Sequence, residues 1–205
     1  MKTLLLVDIQ NDFLPTGALP VAEGDQIIPL VNRLQPEFDL VVATQDWHPE
    51  THKSFAVHHD KNPGEVTMLN GIKQVLWPVH CVQQSSGAEL AAGLETGRID
   101  RIFQKGTNPE IDSYSGFFDN DHQSDTGLAA YLTEKGVTQL YVVGLALDYC
   151  VRYTALDARK SGFDTSLIVD ATRGVNIDAE DSVKAVKEMG AAGVHIIQSL
   201  EILPA

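Results

Sequence analysis

Val142-Val143-Gly144-Leu145-Ala146-Leu147-Asp148-Tyr149-Cys150-Val151-Arg152 is the stretch on which the reading of this chain turns. It opens as an apolar, β-branched run, the pattern of a strand buried on both faces. Gly144 ends that run, a short loop follows, and a helical pattern opens around Cys150. A thiol at the start of a helix meets unpaired backbone N–H groups and the positive end of the helix dipole, both of which favour thiolate. The same N–H groups suit an oxyanion formed when the thiolate attacks a carbonyl. A lone cysteine is more often buried apolar filler. Its meaning therefore depends on the side chains it meets.

Working outward, strands are expected over residues 3–9, 40–44, 101–104, 139–144, 166–169 and 194–197. Helical patterns cover 25–34, 127–135, 150–161 and 179–189. In the last, Val183, Val186 and Met189 form a stripe expected to face the core, and Gly136, Gly162 and Gly190 are placed as helix stops. Strands alternating with helices imply a doubly wound α/β fold, a mainly parallel six-stranded sheet with helices on both faces. The 205 residues are read as one domain, 1–205. Its exception is a long insertion at about 49–100, rich in Gly, Pro and His, of the kind that is usually functional.

With 15 basic and 28 acidic residues the net charge is −13, which argues against nucleic-acid and anionic-membrane partners. Two cysteines make no disulfide framework, and the opening segment is too short and too interrupted for a signal peptide. A cytoplasmic protein is expected. Apolar helix faces left over allow a homo-oligomer without counting its subunits. Neither glycine-rich nucleotide-binding motif is present.

In open parallel sheets ligands bind beyond the carboxyl ends of the strands. Asp8 closes the first expected strand, Asp46 and His48 follow the second, Lys105 the third and Cys150 the fourth. A carboxylate among apolar strand residues has a raised pKa and suits a proton acceptor. Taken singly, Asp8 reads better as a turn cap and Lys105 as a snorkelling surface lysine. Their coincidence at one sheet edge carries the functional reading. Asp12 reads as a turn residue. Asp46 and His48 with His80 make a ligand set for zinc, iron or manganese, although D-x-H pairs are common enough to leave metal binding open. His52 is a fourth candidate, directly or through water. Phe13, Trp77 and Tyr114 offer a flat apolar slot, or simply core.

Six motifs carry a resemblance: V-D-I-Q-N-D-F from Val7, D-W-H-P-E-T-H-K-S-F from Asp46, W-P-V-H-C from Trp77, F-Q-K-G from Phe103, D-S-Y-S-G-F-F-D from Asp112 and G-L-A-L-D-Y-C-V from Gly144. Together they resemble the nicotinamidase family of isochorismatase-like cysteine hydrolases, in family order along nearly the whole chain. The resemblance implies a Cys150/Asp8/Lys105 triad and one divalent metal, zinc first and iron or manganese next, on Asp46, His48 and His80. It also implies a cis peptide before Ala146, with the Ala146 and Cys150 amides as oxyanion hole. The expected substrate is nicotinamide, hydrolysed through a thioester for NAD salvage, with pyrazinamide as a second substrate. Two alternatives stay open: a related amidase acting on a carbamoyl or ureido compound, and a non-catalytic metal- or small-molecule-binding module.

Overall fold

The computed structural model describes residues 1–203. Six strands, β1 (Lys2–Val7), β2 (Leu40–Asp46), β5 (Ile99–Lys105), β6 (Gln139–Leu145), β7 (Asp164–Arg173) and β8 (His195–Ile197), form one parallel sheet. Their order is β5-β2-β1-β6-β7-β8. The chain builds outward from β1 to β5, then returns beside β1 as β6 and builds the other way. The switch point therefore lies between β1 and β6, where parallel sheets open a crevice at their carboxyl ends.

Alternation along β1 explains the two layers. Leu5 and Val7 face a core made with α2 (Leu128–Glu134), α3 (Arg152–Lys160) and α4 (Asp181–Ala191). Leu4 and Leu6 face the opposite core, packed by α1 (Ile27–Leu34) and by Ala88, Ala91 and Leu94 of the insertion. Side chains of period two in β1 thus need apolar cover on both faces. Gly144 sits at φ 120° opposite Val7, where a Cβ would lie 2.1 Å from the Val7 carbonyl oxygen. Only glycine lets the two central strands approach at the switch point.

Several expectations are corrected. β2 runs on to Asp46, and β5 includes Lys105 instead of stopping before it. β6 passes Gly144 to Leu145, and β7 continues to Arg173. The insertion holds an antiparallel hairpin, β3 (Val66–Leu69) with β4 (Ile72–Val75), that the sequence reading did not contain. In α4, Met189 is buried but Val183 is 63% exposed; Ala185 makes the inner contact instead. The stop after α4 is Gly193 at φ 86°, because Gly190 still lies inside the helix. Gly136 and Gly162 do take left-handed conformations just past α2 and α3.

Candidate active site

Strand register brings the first two polar groups together. Asp46 ends β2 directly beside Lys105 at the end of β5, and Lys105 Nζ lies 2.5 Å from Asp46 Oδ1. The same ammonium lies 3.0 Å from Asp8 Oδ2, donates to Ser113 O at 2.8 Å and stands 3.5 Å from Cys150 Sγ. It is 1% exposed, so this is a buried cluster and not a snorkelling lysine.

Each carboxylate is fixed from the neighbouring strand. Asp8 follows β1 at φ 47°, donates its N–H to Thr44 Oγ1 and accepts from that hydroxyl at 2.6 Å on Oδ1. Its Oδ2 accepts no aligned hydrogen bond and is left for another proton. In return the Gln10 side chain accepts from the Asp46 N–H at 2.8 Å and donates to the Asp46 carbonyl at 2.9 Å. A strand-like pair of bonds thereby holds the last residue of β2 beyond the end of β1.

Cys150 does not begin an α-helix. It lies within a π turn, Leu147–Val151, closed by Val151 N–H to Ala146 O at 3.1 Å, and α3 starts at Arg152. π turns inside helices gather at functional sites. The Leu145–Ala146 peptide is cis. Burial pushes the thiol well above its ordinary range, and the nearby lysine only partly opposes that. Burial thus favours the protonated thiol at rest, so a neighbouring base is needed to take its proton. Asp8 is also raised, by burial first and then by Asp46, against the pull of Lys105. For Lys105 burial disfavours charge, but Asp46, Asp8 and Cys150 outweigh it and keep the ammonium charged.

A cavity opens onto Cys150, lined by Phe13, Trp77, Tyr114, Tyr149, Leu19, Val175 and Ala146, with Asp46, His80 and Asp112 at its polar edge. Trp77 meets Tyr149 edge-on at 4.8 Å, and its Nε1 donates to Tyr114 Oη at 3.2 Å. Tyr114 in turn accepts from Gln74, which also holds Asp112. The rings are thus locked before any ligand arrives.

With this geometry in view, residues 2–201 match the Isochorismatase domain family. The chain belongs to the isochorismatase family. It is 47% identical to the nicotinamidase of Escherichia coli over 95% of this chain and 93% of that protein. A solved nicotinamidase/pyrazinamidase of Acinetobacter baumannii superposes with a TM-score of 0.96 at 46% identity, covering 98% of each chain. The pyrazinamidase of Pyrococcus horikoshii in complex with zinc superposes at 0.78 with 41% identity, covering 96% of this chain and 98% of that one.

In this isochorismatase-family chain the insertion delivers a third polar corner. His48 and the segment after His80 exchange backbone bonds as a short parallel bridge, His48 N–H to Cys81 O at 3.0 Å and Gln83 N–H to His48 O at 2.8 Å. Asp12 accepts from Cys81 N–H at 2.7 Å and pins that segment to the first loop, a turn-anchoring role as its sequence suggested. His48 Nε2 and His80 Nε2 then lie 3.5 and 3.9 Å from Asp46 Oδ2. Two donors on one tetrahedral zinc stand roughly 3.4 Å apart, so the spacing suits a divalent cation after small shifts. Both histidines donate Nδ1–H to backbone carbonyls, Gly106 O at 2.9 Å and Pro78 O at 2.8 Å, which turns each Nε2 toward Asp46. Gly106 is required there, since a Cβ would lie 2.4 Å from the His48 ring.

His52 stands behind His48, ring centroids 4.3 Å apart. Its Nδ1 accepts from the Ser54 amide and hydroxyl, and its Nε2 reaches Ile111 O at 3.3 Å. Neither nitrogen keeps a lone pair for the Asp46 corner. Burial, then the charge of His48, lowers both His52 and His80 to about 4. His48 moves up instead, because Asp46 outweighs its burial. Between those values and 6.5 the unfolded chain binds up to two more protons than the fold does, one each at His52 and His80. Chelator-stripped protein is therefore expected to lose on the order of a few kcal/mol as pH falls from about 6.5 towards 4. Denaturant midpoints that stay flat across that window contradict the assignment of neutral His52 and His80.

Thr44, Gln10, Leu19, Asp112, Tyr149 and Val175 were not foreseen as site residues. Gln10 and Tyr149 sit inside motifs already singled out, one position from a flagged residue or two. Val175 follows β7, whose true length no periodicity disclosed.

Proposed function

We propose that this chain is a cysteine amidohydrolase that converts nicotinamide to nicotinate and ammonia through a thioester, and that it also accepts pyrazinamide. The observation that carries this reading is one buried ammonium shared by Asp8, Asp46 and Cys150 at the floor of a ring-lined cavity. The relatives support the substrate.

The carboxamide enters between Phe13 and Trp77, with Tyr114 and Tyr149 closing the slot. Because the thiol rests protonated, its proton passes to Asp8 Oδ2 as sulfur attacks the carbonyl carbon. The oxyanion forms against the amides of Ala146 and Cys150; one such donor is typically worth about 10²–10³ in rate. Lys105 keeps its proton throughout and offsets the negative charge as it moves between sulfur and carboxylate. Asp8 then protonates the leaving nitrogen, the C–N bond breaks, and ammonia departs from a thioester. Water loses a proton to Asp8 and attacks that thioester; nicotinate leaves and the proton returns to sulfur. Asp46, His48 and His80 would hold a divalent cation, zinc in our reading, which when bound supplies a Lewis acid at the cavity wall for orienting the ring.

A flexible ureido acid is a poorer fit. The walls are the rings of Phe13, Trp77, Tyr114 and Tyr149, which suit a flat heteroaromatic better than a flexible chain. We place the enzyme in the cytoplasm as part of NAD salvage, in keeping with two free thiols. Among the described residues no helix is long and apolar enough to cross a membrane.

A coupled ammonia assay with nicotinamide, benzamide and a ureido acid tests the reading. Nicotinamide should lead by a wide margin, and faster release from the ureido acid overturns it. Metal analysis tests the ligand set: the parent chain should carry about one divalent ion, with His80→Ala weakening retention about 10- to 100-fold or more. Chelation should reduce activity and added divalent ion restore it. Full activity in protein shown by elemental analysis to be metal-free removes the metal from the scheme.

A further inference from the structure

Asp148 lies in the π turn two residues before Cys150 and is buried, yet none of its hydrogen bonds goes to the reacting cluster. Its Oδ1 accepts from Val175 N–H at 2.9 Å and its Oδ2 from Asn176 N–H at 2.7 Å. Both amides belong to the loop between β7 and α4, and Val175 is part of the cavity wall. A carboxylate that accepts two backbone donors makes charge-assisted bonds of fixed direction. The loop is shaped around that grip. Asn176 takes φ 53° and accepts from Ser182 N–H at 3.0 Å, tying the loop to the start of α4. Gly174 is packed so closely that a Cβ would lie 2.1 Å from Ser182 Oγ and 3.2 Å from Asp148 Oδ1.

We infer that Asp148 is a specificity-determining positioning residue, latching the 174–176 loop to the turn that carries Cys150 and so fixing the opening between Val175 and the sulfur. Val175 shares the cavity wall with Cys150 and the rings of Phe13, Trp77, Tyr114 and Tyr149, so the position of its loop sets the width of that slot. With the latch closed it admits a single six-membered ring beside the carboxamide and excludes a fused bicycle. The inference rests on the reading of this cavity as a ring-amide site.

Amide hydrogen exchange on the parent protein tests the latch without any substitution and without any substrate. Val175 and Asn176 should exchange at least 100-fold more slowly than an exposed loop; exchange as fast as an exposed loop overturns the latch. The near-isosteric Asp148→Asn keeps one acceptor and turns an amide donor toward the other N–H. In that variant the kcat/KM ratio of nicotinamide over quinoline-3-carboxamide should shrink about tenfold or more, chiefly through KM for nicotinamide. Val175→Ala should shrink the same ratio, and the double variant should go little further than the larger single change, because both act through one wall. Multiplicative effects overturn the inference, as does an unchanged ratio in Asp148→Asn. Equal loss of kcat on both amides also overturns it, since that is the signature of a disturbed Cys150. A parent that hydrolyses neither amide sinks the proposed reaction instead, and the exchange measurement still judges the latch.

Discussion

Cys150→Ala is expected to lower nicotinamide turnover by roughly 10⁴–10⁶, the loss seen when a covalent catalyst is deprived of its nucleophile. The fold should survive, because removing one sulfur from a side chain at the cavity edge leaves the π turn and its Val151-to-Ala146 bond in place. The prediction is sharper than the loss alone. Burial disfavours a free thiolate, which makes proton transfer to Asp8 part of the attack itself. Asp8→Asn should come close to Cys150→Ala in effect, because Asp8 also protonates the leaving nitrogen and takes the proton of the attacking water. Steady-state ammonia release by both variants decides it; more than a few per cent of parental rate in Cys150→Ala removes sulfur from the chemistry.

Lys105→Met should be the most damaging change to stability. It leaves two buried carboxylates, Asp8 and Asp46, facing each other across the space the ammonium filled. Breaking a buried ion pair from one side costs about 3–5 kcal/mol. In a chain of this size that corresponds to a fall in Tm of roughly 6–20 °C. Asp8→Asn in the Lys105→Met background removes one orphaned charge and should recover part of the loss without recovering activity. Thermal unfolding of the single and double variants is the measurement. A Lys105→Met protein as stable as its parent means the ammonium does not bind these carboxylates together.

The sheet and the edge on which the site sits were legible from the sequence because both follow from local rules. Apolar runs leading to Asp8, Asp46 and Lys105, with helical patterns between most of the strands, point to a parallel sheet. The polar residues at those ends then had to converge. What the sequence hid is non-local. Thr44 lies inside β2 and looks like any strand threonine; only the register with β1 shows that its hydroxyl holds Asp8. The protonation of Cys150 depends on how completely the insertion and the aromatic rings exclude water, which no motif spells out. Val183 misled because helical spacing marks a face without saying whether anything covers it. The hairpin β3–β4 escaped because two four-residue strands of mixed polarity carry too little periodic signal.

Asp46 has one further implication. Its two oxygens look in opposite directions, Oδ1 to the Lys105 ammonium and Oδ2 to the paired imidazoles. Anything that tugs on one oxygen rotates the other, so stripping the imidazole side disturbs the grip on the ammonium and, through it, Asp8. Inactivation by a chelator is thus ambiguous as a diagnostic, because it reports a slackened tether as readily as a missing electrophile. Only substrate analogues lacking the ring nitrogen, compared with and without the ion, tell the two apart.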